Sequence, residues 1–400
     1  MPRDALVTEY LRVGLAFDRL EDGFVDAYTG DPRLRAESVD GPRPDPAHLR
    51  DRIRGLRTDI AGSSLPADRR GFLDAHLTAM ECSAGHFAGE EIGFVDEVRA
   101  YFDVDIALED PEVYRAAHAE LDALLPAGPS LAERYQAHRT SDEIPADRLD
   151  ECVAAFTSAL RDRVRATHPL PDVETVEIEV VSDKPWSGFN YYLGDYRSRV
   201  AINGDLTQYM ASLPHLIAHE AYPGHHTEHC RKEQILVGGG QEEQTLFLVN
   251  TPQCLMAEGL ADHALHAAVG DGWGRWAQEI YADLGLRFDG DRAERIGRAT
   301  GGLLGVRQDA ALLLHDRGQD ADTVGEYLQR WLLATPARAR QMLRFLSSPL
   351  WRAYISTYVE GYRLLGDWLD ADPHADRLRR FGRLLDEPLT PAQLRAELAA

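Results

Sequence analysis

The stretch that decides the fold is His219–His226, HEAYPGHH, which follows LPHLIA and precedes TEHC. Five of the chain's 15 histidines lie between His215 and His229, and a glutamate stands directly after one of them. Clustered imidazoles beside a carboxylate are what a zinc site with a general base requires. The rest of the chain is therefore expected to hold this stretch, supply a third ligand and shape a cleft.

The spacing of these histidines excludes a plain zinc-binding helix. In an HExxH helix the two ligands stand at i and i+4 on one face, but the residue four after His219 is Pro223. In an unbroken helix His226 would lie about 10.5 Å further along the axis. That is too far for two imidazoles that bind one zinc ion at about 2.0–2.1 Å. Because Pro223 and Gly224 can interrupt a helix, a break over residues 222–224 would let His225 rejoin His219.

Such a break predicts His219 and His225 as zinc ligands. Glu220, next to the first ligand, would then act as the general base on a metal-activated water. Three other histidines stay open as alternative ligands: His226, His215 and His229. His226 directly follows His225. His215 stands four residues before His219, and His229 stands four residues after His225.

The third ligand is expected on a helix further along the chain. Glu258, in the apolar stretch LMAEGLADH, is the best candidate, with a buried ion-pair partner as its alternative role. Asp262 lies one turn on and could orient a ligand histidine, whereas His263 and His266 are expected to be ordinary helix residues. Three protein ligands and one open position are typical of catalytic zinc. We expect one zinc ion, with another divalent metal as the alternative.

Composition narrows the class of partner. The net charge of −23 argues against nucleic acid and anionic membranes, since phosphate binding needs a basic patch. The sequence contains no run of 18 apolar residues, so we expect no membrane span. The N-terminus does not resemble a secretory signal. The four cysteines lack CxxC spacing, which favours a reducing compartment. These features predict a cytoplasmic protein. The metal cluster, rather than the composition, leads us to expect a small molecule or a short peptide as the substrate.

Helical periodicity covers most of the chain and predicts a mainly α fold. We expect residues 1–170 to form an N-terminal helical scaffold lobe, starting with a helix from residue 4 to about 28. Residues 171–400 form the metal-site lobe, with helices that include 245–269, 373–385 and 391–399. The two lobes are expected to make one continuous domain around a cleft.

One β region interrupts this pattern, directly before the histidines. Residues 176–181 alternate in polarity, and residues 198–203 form a second strand candidate after KPWSGFNYYLGDY. The turn-rich segment between them predicts a small antiparallel sheet. A strand beside the metal helix could pair its edge with an extended peptide, or serve only as a connector.

HExxPGHH followed by an EG(L/W)A helix resembles the bacterial domain-of-unknown-function family 885, which is similar to helical zinc peptidases of the gluzincin kind. The resemblance covers about residues 190–365. Its motifs match these residues: His219, Glu220, Pro223, Gly224, His225, His226, Glu258, Gly259 and Ala261. The family usually has an aromatic residue where this chain has Leu260. The resemblance implies a metallopeptidase-like helical fold and metal-dependent hydrolysis without naming a substrate.

The resemblance also extends to a Tyr-x-x-Gly motif at Tyr358–Gly361 and to Arg307 before Leu314-His315. By analogy with helical zinc peptidases, Tyr358 is expected to steady the oxyanion, with Tyr354 four residues earlier on the same face. The alternative is an aromatic stripe packed into the core. Arg307 could bind a substrate carboxylate, or pair with Asp309 or Asp316.

Three functions are consistent with these features. The first is a zinc-dependent hydrolase, most simply a metallopeptidase that cleaves small peptides with Glu220 as general base. The second keeps the metal but acts on a non-peptide metabolite. The third is a non-catalytic, metal-binding helical protein, for which a closed set of four ligands is expected.

Overall fold

The predicted mainly α fold is confirmed by a computed structural model, which describes residues 3–182, 188–371 and 377–400. The helices of the N-terminal part are α1 (Arg3–Ala16), α2 (Pro32–Asp40), α3 (Pro46–Ala61), α4 (Ala67–Phe87), α5 (Phe94–Phe102), α6 (Pro111–Leu124), α7 (Leu131–Ser141) and α8 (Leu149–Thr167). Side chains of Asp31, Asp45 and Asp110 accept a backbone N–H at the starts of α2, α3 and α6. Each stands before a proline, which has no N–H and therefore needs no acceptor there.

The C-terminal part is also built from helices. They are α9 (Leu213–Glu220), α10 (His225–Lys232), α11 (Pro252–Val269), α12 (Trp273–Asp283), α13 (Gly290–Gly301), α14 (Val306–His315), α15 (Ala321–Leu332), α16 (Pro336–Leu346), α17 (Tyr362–Asp370), α18 (Arg377–Asp386) and α19 (Pro391–Leu398). One π-helical turn, Glu233–Val237, follows α10, and another, Thr357–Gly361, precedes α17. The first residues of the helix predicted over 373–385 lie outside the described part of the chain.

The predicted small sheet lies directly before α9 and contains three strands. They are β2 (Thr175–Val181), β3 (Gly188–Gly194) and β4 (Arg197–Asn203), in the order β2-β4-β3. The expected antiparallel pairing holds for β3 and β4, whereas β2 runs parallel to β4. The segment expected to form turns is itself the strand β3, which reverses the chain and so leaves β2 and β4 parallel. Residues 184–187 of that segment lie outside the described residues.

A second, two-stranded sheet was missed by the sequence analysis. The helix expected from residue 4 to about 28 ends at Ala16, and β1 (Val25–Tyr28) pairs antiparallel with β5 (Leu246–Leu248). The helix predicted over 245–269 accordingly starts only at Pro252. Short strands of three or four residues carry too little alternation to be recognised in sequence. This pairing brings the N-terminal part of the chain to the start of α11.

Buried apolar side chains from both ends of the chain form one core cluster. It includes Leu6 and Tyr10 of α1 as well as Leu384 and Leu394 near the C-terminus. The boundary predicted at residue 170 stays a prediction. Within the described residues no helix combines the length and the apolar content that crossing a bilayer requires.

α11 lies at the centre of the metal-site part and makes an unusually close backbone contact. A Cβ atom added to Gly259 would lie 2.6 Å from the carbonyl oxygen of Gly361, and one added to Gly361 would lie 2.5 Å from that of Leu255. The two glycines therefore let α11 and the π-helical turn Thr357–Gly361 approach until their backbones touch. This contact places Tyr354 and Tyr358 against the side of α11 that carries Glu258.

We expect Gly259→Ala to lower the free energy of unfolding by about 1–3 kcal/mol, because the new methyl group overlaps backbone that cannot move aside. Equilibrium urea denaturation measures the change. Gly55→Ala is the matched control: Gly55 is also helical, but an added Cβ meets nothing within 4 Å. That substitution should stabilise the helix by roughly 0.5–1 kcal/mol. Equal stability of the two variants would contradict the proposed packing.

Candidate metal centre

The predicted interruption of the metal helix is confirmed. α9 ends at Glu220 and α10 begins at His225, so the break falls on residues 221–224. It contains a cis peptide bond between Tyr222 and Pro223. A Cβ atom at Gly224 would lie only 1.9 Å from the carbonyl oxygen of His219, so this position accepts no side chain. The backbone N–H of Gly224 donates to Ala218 at 2.8 Å and ties the break to α9.

The break brings two imidazoles and a carboxylate together. Nε2 of His225 lies 3.1 Å from Nε2 of His219, which in turn lies 3.3 Å from Oε2 of Glu258. Nε2 of His225 and Oε1 of Glu258 are 3.8 Å apart. Tetrahedral ligands at about 2.0–2.1 Å from zinc stand roughly 3.3–3.4 Å from one another. The donor atoms therefore have the mutual spacing that one tetrahedral ion needs.

Each imidazole is oriented by a carboxylate on its other nitrogen. Nδ1 of His219 hydrogen-bonds Oδ1 of Asp262 at 3.1 Å, as predicted for Asp262. Nδ1 of His225 faces Oε2 of Glu228 at 4.0 Å, and Glu228 is held by Lys232 at 2.5 Å. A carboxylate behind a ligand histidine fixes its tautomer and directs Nε2 at the metal. Glu228 was missed in the sequence, although it stands one helical turn after His225.

Glu258 fits a metal ligand better than its alternative role as an ion-pair partner. Its side chain is buried, and Oε1 accepts a hydrogen bond from Tyr354 at 2.6 Å, whereas the neighbour of Oε2 is Nε2 of His219 at 3.3 Å, the other candidate donor to a metal. A buried carboxylate is costly unless a cation or hydrogen-bond donors compensate it. Within the described residues, His219, His225 and Glu258 are the one set of donors close enough to share an ion. Two imidazoles and a carboxylate suit zinc, although other divalent metals accept such donors.

The charges of the cluster act strongly on one another. Burial by itself would lower the pKa of His219, but the hydrogen bond to Asp262 and the contact with Glu258 raise it well above its ordinary value. Burial raises the pKa of Glu220, while His219 and His225 oppose that rise. The site is thus rich in negative charge around two imidazoles.

Glu220 is placed beside the cluster by strand β3. Its side chain is buried, Asn190 donates to its backbone carbonyl at 2.7 Å, and a Cβ on Gly188 would lie 3.1 Å from its Oε1. Because Gly188 has no side chain, it leaves space for the carboxylate of Glu220. β3 is an edge strand of its sheet, so the predicted strand edge lies next to the predicted general base.

Tyr354 and Tyr358 differ in their burial and in their contact with Glu258. Tyr354 is buried and donates to Glu258, whereas Tyr358 is half-buried, with its ring centre 5.7 Å from that of Tyr354. Burial, followed by the charges of Glu258, Asp262 and Glu220, raises the pKa of Tyr358 well above its ordinary value. Tyr358 therefore keeps its proton and remains a hydrogen-bond donor. Tyr354 supports the predicted ligand instead.

His226, the rival ligand, points away from the cluster. Its Nδ1 contacts Oγ of Ser198 at 2.9 Å, and its Nε2 contacts Oε2 of Glu174 at 3.0 Å. Glu174 also accepts from Tyr222 and from two arginines of α8, Arg161 and Arg165. Both ring nitrogens of His226 are thus engaged, and its role is to anchor the break to the sheet.

The remaining histidines are used elsewhere in the fold. His229 stacks on Tyr192 with ring centres 4.6 Å apart, and His215 packs edge-on against Trp273 at 4.5 Å. His263 contacts the carbonyl oxygen of Tyr362 at 2.9 Å. The alternative pairs His215–His219 and His225–His229 therefore do not share a cluster among the described residues.

Asp26 of β1 was also missed in the sequence. Val25 pairs with Leu248 and Ala27 with Phe247, so Asp26 is the extra residue of a β-bulge. A bulge re-aims the side chain it carries. Burial raises the pKa of Asp26 to about 7; the charge of His225 opposes that rise, and Glu258 adds to it. This carboxyl group therefore lies within electrostatic reach of the metal centre, although no predicted strand pointed to it.

Arg307 of α14 does not pair with the acids suggested as its alternative partners. Asp309 accepts from Tyr114 at 2.7 Å and from Tyr327 at 2.8 Å, and Asp316 lies 3.2 Å from Arg317. The Arg307 side chain is exposed to solvent. Its role in binding a substrate carboxylate stays a prediction.

Comparisons with known proteins support the fold and nothing more specific. No family model matches the chain, and no curated protein sequence matches it. A "putative lipoprotein" from Colwellia psychrerythraea has a similar structure, with a TM-score of 0.52 and 14% identity over 91% of this chain and 71% of that one. A "putative lipoprotein of unknown function" from Shewanella oneidensis gives a TM-score of 0.54 and 12% identity over 92% and 76%.

Separate substitutions of His225 and His226 should show which of the two binds the metal and which anchors the break to the sheet. We expect His225→Ala to lose its metal, because one of three donors is gone, whereas His226→Gln keeps about one ion per chain and unfolds more easily. Elemental analysis after dialysis against zinc measures the metal, and urea denaturation measures the stability. Metal retained by His225→Ala and lost by His226→Gln would make His226 the ligand.

The anchor at Glu174 predicts a pH-dependent contribution to stability. Burial alone would raise its pKa, but hydrogen bonds from His226, Arg165, Tyr222 and Arg161 outweigh burial and lower the pKa to about 2. The stabilisation is therefore complete above the ordinary carboxyl value of 4.5 and is lost as the pH falls towards 2.

Glu174→Gln should accordingly lower the free energy of unfolding by about 3 kcal/mol at neutral pH. The difference from the wild type should shrink between pH 4.5 and pH 2, the two pKa values that bound the transition. Denaturation curves at several pH values measure it. Glu177→Gln, on the exposed face of β2, is the control and should change stability little.

Proposed function

We propose that this protein is a zinc-dependent hydrolase, and more specifically a metallopeptidase that acts on short peptides. The observation that carries the proposal is the donor set His219, His225 and Glu258, whose atoms have the mutual spacing of zinc ligands. Three protein donors leave one coordination position open, which is typical of catalytic rather than structural zinc. The proposal agrees with the family that HExxPGHH resembles.

The residues around the cluster have the chemistry that peptide hydrolysis needs. When bound, a zinc ion polarises a carbonyl group and lowers the pKa of water. Glu220, buried beside His219, takes the proton of the attacking water and delivers it to the leaving amine. Tyr358 keeps its proton and donates a hydrogen bond to the carbonyl oxygen as that oxygen gains negative charge.

Strand β3 favours a peptide over a compact metabolite. It is the edge strand of its sheet and lies against Glu220 through Gly188 and Asn190. An extended peptide can pair with such an edge through its main chain, which holds the scissile bond near the base without regard to side chains.

The cytoplasmic location is part of the proposal. It is supported by the four cysteines, which are free and buried. The two structures of similar fold are described as lipoproteins, and at 14% and 12% identity they support the fold and no location.

The decisive variant is Glu220→Gln, which removes the base and leaves the three donors. We expect it to bind zinc like the wild type and to hydrolyse short peptides roughly 10²- to 10⁴-fold more slowly. Elemental analysis gives the metal content, and a peptide library assayed beside amide- and ester-containing metabolites gives the activity. Glu279→Gln, an exposed acid on α12, is the control and should retain full activity. Undiminished hydrolysis by Glu220→Gln, or a wild-type protein without metal and without metal-stimulated hydrolysis, would refute the proposal.

A further inference from the structure

A cavity apart from the metal donors opens between α7, α12 and α13. Its volume is about 500 Å³, within the range of roughly 300–1,000 Å³ that small-molecule sites occupy. Side chains from four segments of the chain line it, and they include His138, Asp142, Met210, Arg287, Phe288 and Arg292. His219, Glu220, His225 and Glu258 are not among its lining residues, so the cavity is a second candidate site.

Contacts within the protein fix the wall that contains Met210 and Phe288. The backbone N–H of Met210 donates to the carbonyl oxygen of Asp142 at 2.8 Å, and the hydroxyl of Tyr281 donates to the carbonyl oxygen of Met210 at 2.9 Å. The ring of Tyr281 packs edge-on against that of Phe288, with ring centres 5.2 Å apart. The apolar part of the lining is therefore formed without a ligand, as in most small-molecule sites.

Three basic side chains of the lining lack an acidic partner. His138, Arg287 and Arg292 make no side-chain hydrogen bond and no ion pair with the described residues. Nε of Arg292 is buried and has no hydrogen-bond acceptor in the described part of the chain. A buried donor without an acceptor is costly, and guanidinium groups bind carboxylates through paired, charge-assisted hydrogen bonds. These side chains therefore suit the carboxylate of a ligand.

Asp142 brings the opposite charge into the same cavity. Its side chain is only 8% exposed, and its Oδ2 accepts the backbone N–H of Ala211 at 2.9 Å. No ion pair joins Asp142 to a cation of the described residues, although Arg287 and Arg292 line the same cavity. Burial raises the pKa of Asp142 to about 6, so the carboxyl group is still mostly ionised at neutral pH. A buried carboxylate without a cation is costly, and an ammonium group of a ligand would compensate it.

We propose that this cavity binds a small zwitterion with an apolar side chain, of the chemical class of the apolar α-amino acids. Arg292 binds its carboxylate, Asp142 binds its ammonium group, and Met210 and Phe288 pack against its apolar side chain. Such a ligand compensates both unpaired charges at once, whereas a simple anion would leave Asp142 without a cation. The inference does not depend on the proposed hydrolysis, since the cavity shares no residue with the metal donors.

Isothermal titration calorimetry of the full-length protein with leucine, leucinamide and N-acetylleucine tests this site. Leucinamide lacks the carboxylate, and N-acetylleucine lacks the ammonium group. We expect leucine to bind roughly 10- to 100-fold more tightly than either derivative, because each derivative loses one charge-assisted contact.

Two substitutions should act on different parts of the ligand. Arg292→Met should lose most of the preference for leucine over leucinamide, because the carboxylate has lost its partner. Asp142→Asn should lose most of the preference for leucine over N-acetylleucine, while its side-chain oxygen can still accept the N–H of Ala211. Misfolding would not produce these two separate losses. Arg298→Met is the matched control: Arg298 is exposed on the same helix as Arg292 and does not line the cavity, so the affinity for leucine should stay the same.

Absence of leucine binding, equal affinity for the three probes, or a preference that survives its substitution would overturn the site. Leucine binding that is lost in His225→Ala and kept in Arg292→Met would place the ligand at the metal donors and overturn the site as well. None of these measurements uses hydrolysis, so the proposed function and the second site can fail separately.

Discussion

The metal centre depends on one backbone contact, the approach of Gly224 to the carbonyl oxygen of His219. A continuous helix would carry the next histidines about 10 Å away from His219. The break shortens that path, and it holds its shape through the hydrogen bond from Gly224 to Ala218. Since a Cβ at Gly224 would lie 1.9 Å from the carbonyl oxygen of His219, the position must be glycine for the imidazoles to meet.

A second backbone contact sets the opposite wall of the centre. Gly259 and Gly361 allow α11 to touch the π-helical turn that carries Tyr358, so Glu258 and the tyrosines face the break at close range. π-Helical turns often occur at functional sites, where they shift side chains relative to a regular helix. The two walls are joined through His219, which contacts Glu258 and Asp262 at once.

Local spacing was enough to predict the parts of the site that lie within one or two helical turns. The break and His225 as the partner of His219 follow from helix geometry around a proline and a glycine. The orienting role of Asp262 follows from its position one helical turn after Glu258. Asp26 could not be predicted in this way, because long-range strand pairing brings it within electrostatic reach of His225 and Glu258. Asp26 depends on the pairing of β1 with β5, strands too short to show alternation.

The balance of charge around the centre explains why these parts belong together. Glu220, Glu258, Asp262 and Glu228 surround two imidazoles, and Lys232 neutralises only the last of these acids. Buried carboxylates in such excess are costly unless a cation joins them. A cation held by His219, His225 and Glu258 would offset this excess, so the charge around the centre favours the same occupant as the spacing of the donor atoms.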